Sequence, residues 1–144
     1  MTPISKNFTL EEMTASRTAK EKGIRNNPGQ TDIVNLCGLV HNVLQPLRKW
    51  WGREVKIGSG FRSLALNNAV GGVRNSQHMR GEAADLCIDG DMAKGRKWFE
   101  WIKANCEFDQ LIWEHNTKGS YWVHVSYRAD GKNRRQVIDN LLKK

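Results

Sequence analysis

The sequence predicts one α+β domain, built from a small, mainly antiparallel sheet with helices packed against it. Helical patterns of apolar residues come first, up to Trp51, and strand patterns mixed with two further helices follow. The 144 residues show no internal repeat and no low-complexity linker, so they suit one domain over residues 1–144.

The first predicted helix begins with a capping box. Thr9 and Glu12 have the spacing at which each side chain bonds the other's backbone N–H, and apolar residues follow at helical intervals. This pattern predicts a helix that continues to about Lys22 and ends at Gly23.

A long amphipathic helix is predicted next. Thr31 is a good N-cap, and from Ile33 apolar residues recur at helical spacing as far as about Trp51. Pro46 lies inside this run. Because proline has no backbone N–H, we expect the helix to bend or break near Val43–Gln45.

The remaining predicted elements are short and are bounded by turn residues. In chain order they are a strand within Glu54–Phe61, a helix after Arg62 that is closed by Gly71 and Gly72, a strand over Ala83–Ile88, a helix from Asp91 to about Asn105, and strands over Phe108–Glu114 and Ser120–Tyr127.

Composition favours an ordinary globular protein, with 39% apolar and 26% charged residues. No window approaches the length of a membrane span, so we expect no membrane insertion. The start, MTPISKNFTLEEM, lacks a basic segment followed by an apolar one, which predicts synthesis in the cytoplasm without a signal peptide. Cys37, Cys87 and Cys106 form no CxxC pair and lie in apolar contexts, which predicts three buried thiols.

Half of the net charge of +8 comes from a basic tail over residues 128–144, which has six Lys and Arg against two Asp. Nucleic acid, the phosphate-bearing polymers of a bacterial envelope and simple solubility all fit this excess. The basic residues are not interleaved with aromatic ones as on a single-strand-binding surface, so no specific nucleic-acid partner is expected.

Alternation in the last predicted strand separates two faces. Trp122, His124 and Ser126 point to one side, and Tyr121 and Val123 point to the other. A face of Trp, His and Ser opposite an apolar face is typical of a strand that forms the floor of a site. A half-exposed strand histidine gives the same pattern.

Asp85 lies near the start of a predicted strand that is otherwise apolar. A buried carboxylate is costly unless it pairs with a cation or binds a metal ion, and a salt bridge with Arg80 would also satisfy it. Taken with His78 and His124, Asp85 completes a set of two imidazoles and one carboxylate. Three such protein ligands are typical of a catalytic zinc site.

Three segments occur in order along the chain: SGFRS (Ser59–Ser63), SQHMRGEAAD (Ser76–Asp85) and WVHVS (Trp122–Ser126). Together they resemble the zinc D-Ala-D-Ala carboxypeptidase family, whose fold is shared with the Hedgehog signalling domain and several phage endolysins. The resemblance covers roughly Phe8 to Tyr127. It implies a Hedgehog/DD-peptidase-like fold and one zinc ion, with the ligands His78, Asp85 and His124.

The position of the catalytic acid differs from that in part of this family, whose members often carry an acidic residue three residues before the last histidine. That position is Tyr121 here, and alternation places it on the face opposite His124. The Hedgehog-like branch carries a glutamate at the end of the preceding strand. By this resemblance Glu114 is the predicted general base and acid, with a solvated strand-end glutamate as the alternative. Asp109 is a weaker candidate, and His115 is either an oxyanion ligand or an exposed loop residue.

Arg62 is the second predicted catalytic residue. In the family an arginine at this position is associated with the substrate's carboxylate or with the carbonyl oxygen under attack, and its fork of donors suits either. Pairing with a nearby acid is the structural alternative. The predicted substrate-binding residues are Arg62, Ser76, Gln77 and Trp122, although a core position for Trp122 fits equally well.

The leading hypothesis is therefore a zinc metallopeptidase that hydrolyses peptidoglycan stem peptides, of the D-Ala-D-Ala carboxypeptidase or the L-Ala-D-Glu endopeptidase type. The resemblance to endolysins suggests a phage or phage-derived lysis enzyme, a monomer that acts at the bacterial cell wall. A Hedgehog-like zinc-binding module without catalytic activity is the alternative. A basic nucleic-acid binder is the third hypothesis.

Overall fold

The computed structural model describes residues 1–140. Its centre is a five-stranded sheet in the order β1-β2-β4-β3-β5. Pairing is antiparallel from β1 through β3, and β5 runs parallel to β3, so the predicted mainly antiparallel α+β architecture is confirmed. The strands are β1 Lys56–Ser59, β2 Ala83–Cys87, β3 Gln110–His115, β4 Tyr121–Ser126 and β5 Gln136–Asp139.

The N-terminal region folds as two short helices, α1 Leu10–Thr14 and α2 Arg17–Lys22, where one helix was predicted. The chain breaks between them because the last carbonyls of α1 bind remote partners. The Met13 carbonyl accepts the Phe61 N–H at 2.8 Å, and the Thr14 carbonyl accepts the Asn26 amide at 2.8 Å. Gly23 ends α2 in the left-handed conformation, as predicted.

The long predicted helix is continuous but irregular. It consists of α3 Gln30–Leu39, a π-helical turn over Val40–Leu44 and α4 Gln45–Trp51. The π turn ends two residues before Pro46, which cannot continue the regular hydrogen-bond pattern because it has no backbone N–H. Gly29, not Thr31, is the N-cap, and its N–H donates to Asp32.

Two more helices lie in the described part of the chain, α5 Leu64–Ala69 and α6 Met92–Asn105, and a 3₁₀ turn covers Gln77–Arg80. The helices pack their apolar side chains against one face of the sheet, which is formed by the apolar residues that alternate along each strand. Core side chains from the sheet and from α6 include Leu86, Leu111, Trp113, Val123, Val125, Trp98, Phe99 and Ile102. Residues 1–140 contain no helix long and apolar enough to cross a membrane.

The predicted basic tail is structured over its described part. After Arg128 the chain returns to the sheet, and β5 pairs with the edge of β3. Arg134 and Arg135 form ion pairs with Asp109 and Glu107, so these charges stabilise the fold and do not form a free arm. The predicted basic residues Lys143 and Lys144 lie outside the described residues.

The prediction of three buried thiols is wrong for two of them. Cys106 is buried at the end of α6, whereas Cys37 and Cys87 are partly exposed, and all three are free thiols. Cys87 is exposed because alternation along β2 places it on the same face as Asp85, away from the core.

Candidate metal centre

Strand register assembles the polar face of the sheet. Asp85 on β2 lies directly opposite His124 on β4, and residues opposite each other in an antiparallel pair share a face. On β3, Glu114 lies opposite Trp122 and therefore joins the same face. The alternation predicted for β4 is thus confirmed, and Tyr121 lies on the other side.

His78 reaches this face from the 3₁₀ turn. Its Nδ1 lies 2.7 Å from the carbonyl oxygen of Gly60. A carbonyl can only accept, so Nδ1 carries a hydrogen and donates it to Gly60, which leaves Nε2 as the ring atom available to a metal ion. That atom is buried, lies 3.4 Å from Oδ1 of Asp85, and has no hydrogen-bond partner among residues 1–140.

The three predicted metal ligands come together in space. Nδ1 of His124 lies 2.9 Å from Oδ1 of Asp85, and the two imidazole rings have their centroids 5.3 Å apart. One ligand atom from each of the three residues lies within 4.8 Å of the others. Together with the buried, unbonded Nε2 of His78, this set of two nitrogens and one carboxylate oxygen fits a zinc ion.

Charge at the centre favours an ionised carboxylate. Burial opposes the ionisation of Asp85, but the adjacent imidazoles of His78 and His124 outweigh burial and hold the pKa of this carboxyl well below its usual range. Arg62 adds a further positive charge, with Nη2 at 3.5 Å from Oδ2. A metal ligand must be deprotonated, and Asp85 meets that requirement. The alternative partner Arg80 pairs with Glu82 at 2.9 Å.

Arg62 lies beside the metal centre and is fixed by three side chains. Nε donates to Ser59 at 3.1 Å, Nη1 donates to Asn67 at 2.9 Å, and Nη2 makes the long contact with Asp85. Pairing with a nearby acid, the structural alternative, is therefore present. Arg62 also lines the cavity above the centre, so the predicted contact between Arg62 and a substrate is still possible.

The cavity above the centre has a volume of about 570 Å³. Glu114 and Trp122 line it with the three candidate ligands, and Ser76 forms part of its wall. Ser76 is buried, and its hydroxyl accepts the backbone N–H of His78 at 3.2 Å.

A second cavity, of about 740 Å³, adjoins the first. The two share Val73, Ser76, Glu114 and His124 as lining residues, so one groove crosses the centre. Gln77 lines the second cavity, and its side-chain amide donates to Asp109 at 3.0 Å.

Asp109 and His115, the other two candidate residues, do not take part in the centre. Asp109 is buried in an ion pair with Arg134, which holds it away from proton transfer at the centre. His115 belongs to β3, lies opposite Tyr121 and contacts its ring at 5.2 Å between centroids. Its alternation puts it on the face opposite His124, so the oxyanion alternative for His115 is wrong.

Two residues that support the site were not predicted. Asn67 is buried and bridges Arg62 to the carbonyl of Val73 at 2.9 Å, and Gly60 supplies the carbonyl that orients His78. The available signal for Asn67 was an asparagine directly after the apolar run Leu64–Leu66 of α5. Nothing in the sequence distinguishes Gly60 from an ordinary turn glycine.

Two comparisons relate the chain to known proteins. The model of the family described as Peptidase M15 matches residues 6–126, which is most of the chain. A zinc D-Ala-D-Ala carboxypeptidase from Streptomyces albus G is 48% identical over 44 residues. That alignment covers 30% of this chain and 17% of the relative, so the chain corresponds to a small part of that protein's length.

Proposed function

The chain belongs to the Peptidase M15 family, and on that premise we propose that it is a zinc peptidase that hydrolyses peptidoglycan stem peptides. The observation that carries the proposal is the cluster of His78, Asp85 and His124 at the floor of an open groove. The Streptomyces albus G relative, named for the D-Ala-D-Ala terminus, supports this choice of substrate class.

His78, Asp85 and His124 would hold the zinc ion. When bound, zinc supplies a Lewis acid that polarises the scissile carbonyl and lowers the pKa of a water molecule. The protein's part is to keep these ligands deprotonated and oriented. The Gly60 carbonyl fixes the His78 tautomer, and the imidazoles keep Asp85 ionised.

Glu114 is the proposed proton carrier. Its carboxylate lines both cavities beside His124, on the neighbouring strand of the same sheet face. In this role it accepts a proton from the attacking water as the new C–O bond forms, then delivers a proton to the amine nitrogen as the C–N bond breaks. General acid–base catalysis of this kind contributes about 10²- to 10⁴-fold in rate.

Arg62 is the proposed anchor for a substrate oxygen. A guanidinium has five donor hydrogens, and the bonds to Ser59, Asn67 and Asp85 use three of them. The remaining two can bind a carboxylate or the carbonyl oxygen under attack. Ser76, Gln77 and Trp122 are proposed to line the substrate's path through the two cavities.

The groove extends to both sides of His124 and Glu114. This shape accepts a peptide chain on either side of the scissile bond, and both D-Ala-D-Ala release and L-Ala-D-Glu cleavage fit it. We propose action at the bacterial cell wall as a monomeric lysis enzyme of phage type.

The competing function is a zinc-binding module without catalysis. It is favoured by Tyr121, which occupies the position of the usual family acid and stacks on Trp113 at 5.3 Å between ring centroids, on the core side of β4. The position of Glu114 in the groove favours the enzyme.

The decisive experiment is mass spectrometry of purified sacculi digested by the protein. Samples with and without a chelator, and with zinc restored, separate metal-dependent cleavage from contamination. New fragments that vanish with the chelator and return with zinc support the peptidase, and their masses identify the bond. Intact sacculi in the presence of stoichiometric zinc would favour the non-catalytic module.

A further inference from the structure

Asp109 is a buried carboxylate outside the metal centre, with 1% of its surface exposed. Arg134 donates most of the hydrogen bonds that the Asp109 carboxylate accepts. The backbone N–H and Nε of Arg134 donate to Oδ1, each at 3.0 Å, and Nη2 donates to Oδ2 at 2.8 Å. These bonds hold the pKa of Asp109 below its usual range, so the carboxylate is charged and its orientation is fixed.

Among residues 1–140, one further side chain donates a hydrogen bond to Asp109, and it belongs to the 3₁₀ turn that carries His78. Nε2 of Gln77 donates to Oδ2 at 3.0 Å. Gln77 is the first residue of the 3₁₀ turn and directly precedes His78. The other acceptor near this amide, Glu82, is 3.5 Å away, so Asp109 provides the shorter contact.

Arg134 lies beyond the part of the chain that matches the family, which ends at residue 126. It belongs to the segment that leads into β5, and it reaches Asp109 at the start of β3. The chain of contacts therefore runs from this C-terminal segment through Asp109 and Gln77 to the backbone of His78.

We propose that Asp109, oriented by Arg134, is a positioning residue that fixes the His78 turn through Gln77 and so sets the geometry of the metal centre. The inference rests on the zinc-binding part of the proposed function. Partners that orient metal ligands from outside the coordination sphere typically change metal affinity by about 10- to 100-fold when they are removed.

The test compares Gln77→Ala, Arg134→Ala and the double variant with the wild type. Zinc dissociation constants come from competition with a chromophoric chelator, and the absorption spectrum of the cobalt-loaded protein reports the coordination geometry. Neither readout needs peptidase activity, so a protein that binds metal without cleaving peptidoglycan refutes the proposed catalysis and still tests this inference.

Arg135→Ala is the matched control. Arg135 anchors the same segment through Glu107 and the carbonyls of Cys106 and Lys103, without contacting Asp109. A purely structural role predicts a loss of stability that is larger for Arg134→Ala, because it leaves the buried Asp109 carboxylate unpaired, and no change in metal affinity or spectrum for either folded protein.

We expect Gln77→Ala and Arg134→Ala each to weaken zinc binding by roughly tenfold and to alter the cobalt spectrum. The double variant should show no further loss, because both residues act through one carboxylate. Gln77→Ala leaves the buried ion pair intact, so it tests the proposal even if Arg134→Ala does not fold. Wild-type affinity and spectrum in Gln77→Ala, or an equal loss of affinity in Arg135→Ala, would overturn the proposal.

Discussion

The carbonyl oxygen of Gly60 lies 2.7 Å from Nδ1 of His78, and the same glycine packs directly against the end of α1. A Cβ added at residue 60 would collide with the carbonyl group of Met13. This carbonyl accepts the N–H of Phe61, so neither partner can retreat without breaking a backbone hydrogen bond. Gly60 therefore couples the packing of the N-terminal region to the orientation of a proposed zinc ligand.

Gly60→Ala should be strongly destabilising and should also weaken metal binding. We expect the free energy of unfolding to fall by roughly 1–3 kcal/mol, because overpacking against backbone atoms has no flexible side chain to absorb it. Urea denaturation measures the first effect and chelator competition the second. A variant with wild-type stability would show that the contact between residues 60 and 13 relaxes easily.

Gly38→Ala is the matched glycine control, and the opposite result is expected for it. Gly38 lies inside α3, and an added Cβ would meet the ring of Tyr127 at 3.5 Å, which is ordinary van der Waals contact. Alanine in a helix interior is favoured over glycine by about 0.5–1 kcal/mol. The melting temperature should rise, and zinc affinity should stay unchanged.

His124→Ala should abolish tight zinc binding. Metal that binds only the folded state stabilises it by about 4 kcal/mol at a free concentration 1,000 times the dissociation constant. The wild type should therefore melt at a higher temperature with zinc than with chelator, and the variant should lose this difference. His41→Ala, on the exposed surface of the π turn, should keep it. Retention of stoichiometric zinc by His124→Ala would remove His124 from the ligand set.

Glu114→Gln should separate metal binding from catalysis. The amide keeps the size of the side chain but cannot accept the proton, so kcat should fall by about 10²-fold or more while zinc content stays at one per chain. Release of muropeptide fragments and metal analysis measure the two properties. Glu107→Gln, at a side chain 67% exposed, should leave both unchanged. Undiminished cleavage by Glu114→Gln would exclude it as the proton carrier.

Cys106 should be the least reactive of the three thiols and should make stability fall at alkaline pH. Burial raises its pKa from the ordinary 9.0 to about 11. Between these values the unfolded chain loses the proton and the folded chain keeps it, so raising the pH favours unfolding. From pH 8 to pH 10 the wild type should lose roughly 1 kcal/mol more than Cys106→Ala, as measured by urea denaturation. Equal losses would indicate that the thiol is accessible to water.

Most of the candidate metal centre was predictable, partly from local patterns and partly from the resemblance of three segments to a known family. Strand alternation fixed the face of His124, and the cost of a buried carboxylate singled out Asp85. The break between α1 and α2 was not predictable, since the carbonyls of Met13 and Thr14 bind residues far along the chain. Local helix signals continue through that point.

The structure of the C-terminal segment was also not predictable from local sequence patterns. Its basic residues were interpreted only through their charge, as a sign of an anionic partner or of simple solubility. In the structure, β5 pairs with β3 across 26 positions of sequence, and Arg134 forms an ion pair with buried Asp109. Such pairing depends on which sheet edge is free, and no periodicity in a short strand reveals that. The hydrogen bond between Gln77 and Asp109 was not predictable for the same reason.

The sheet order has a consequence for how the molecule opens. β4 is the central strand, and β2 also has a paired neighbour on each side, so the edge strands β1 and β5 can fray while β2 and β4 stay paired. Amide hydrogen exchange in the strands that carry Asp85 and His124 should accordingly approach the global unfolding limit. Two of the three candidate ligands are thus built into the most persistent part of the protein, and His78, on its separate turn, is the ligand best placed to detach first when the ion is lost.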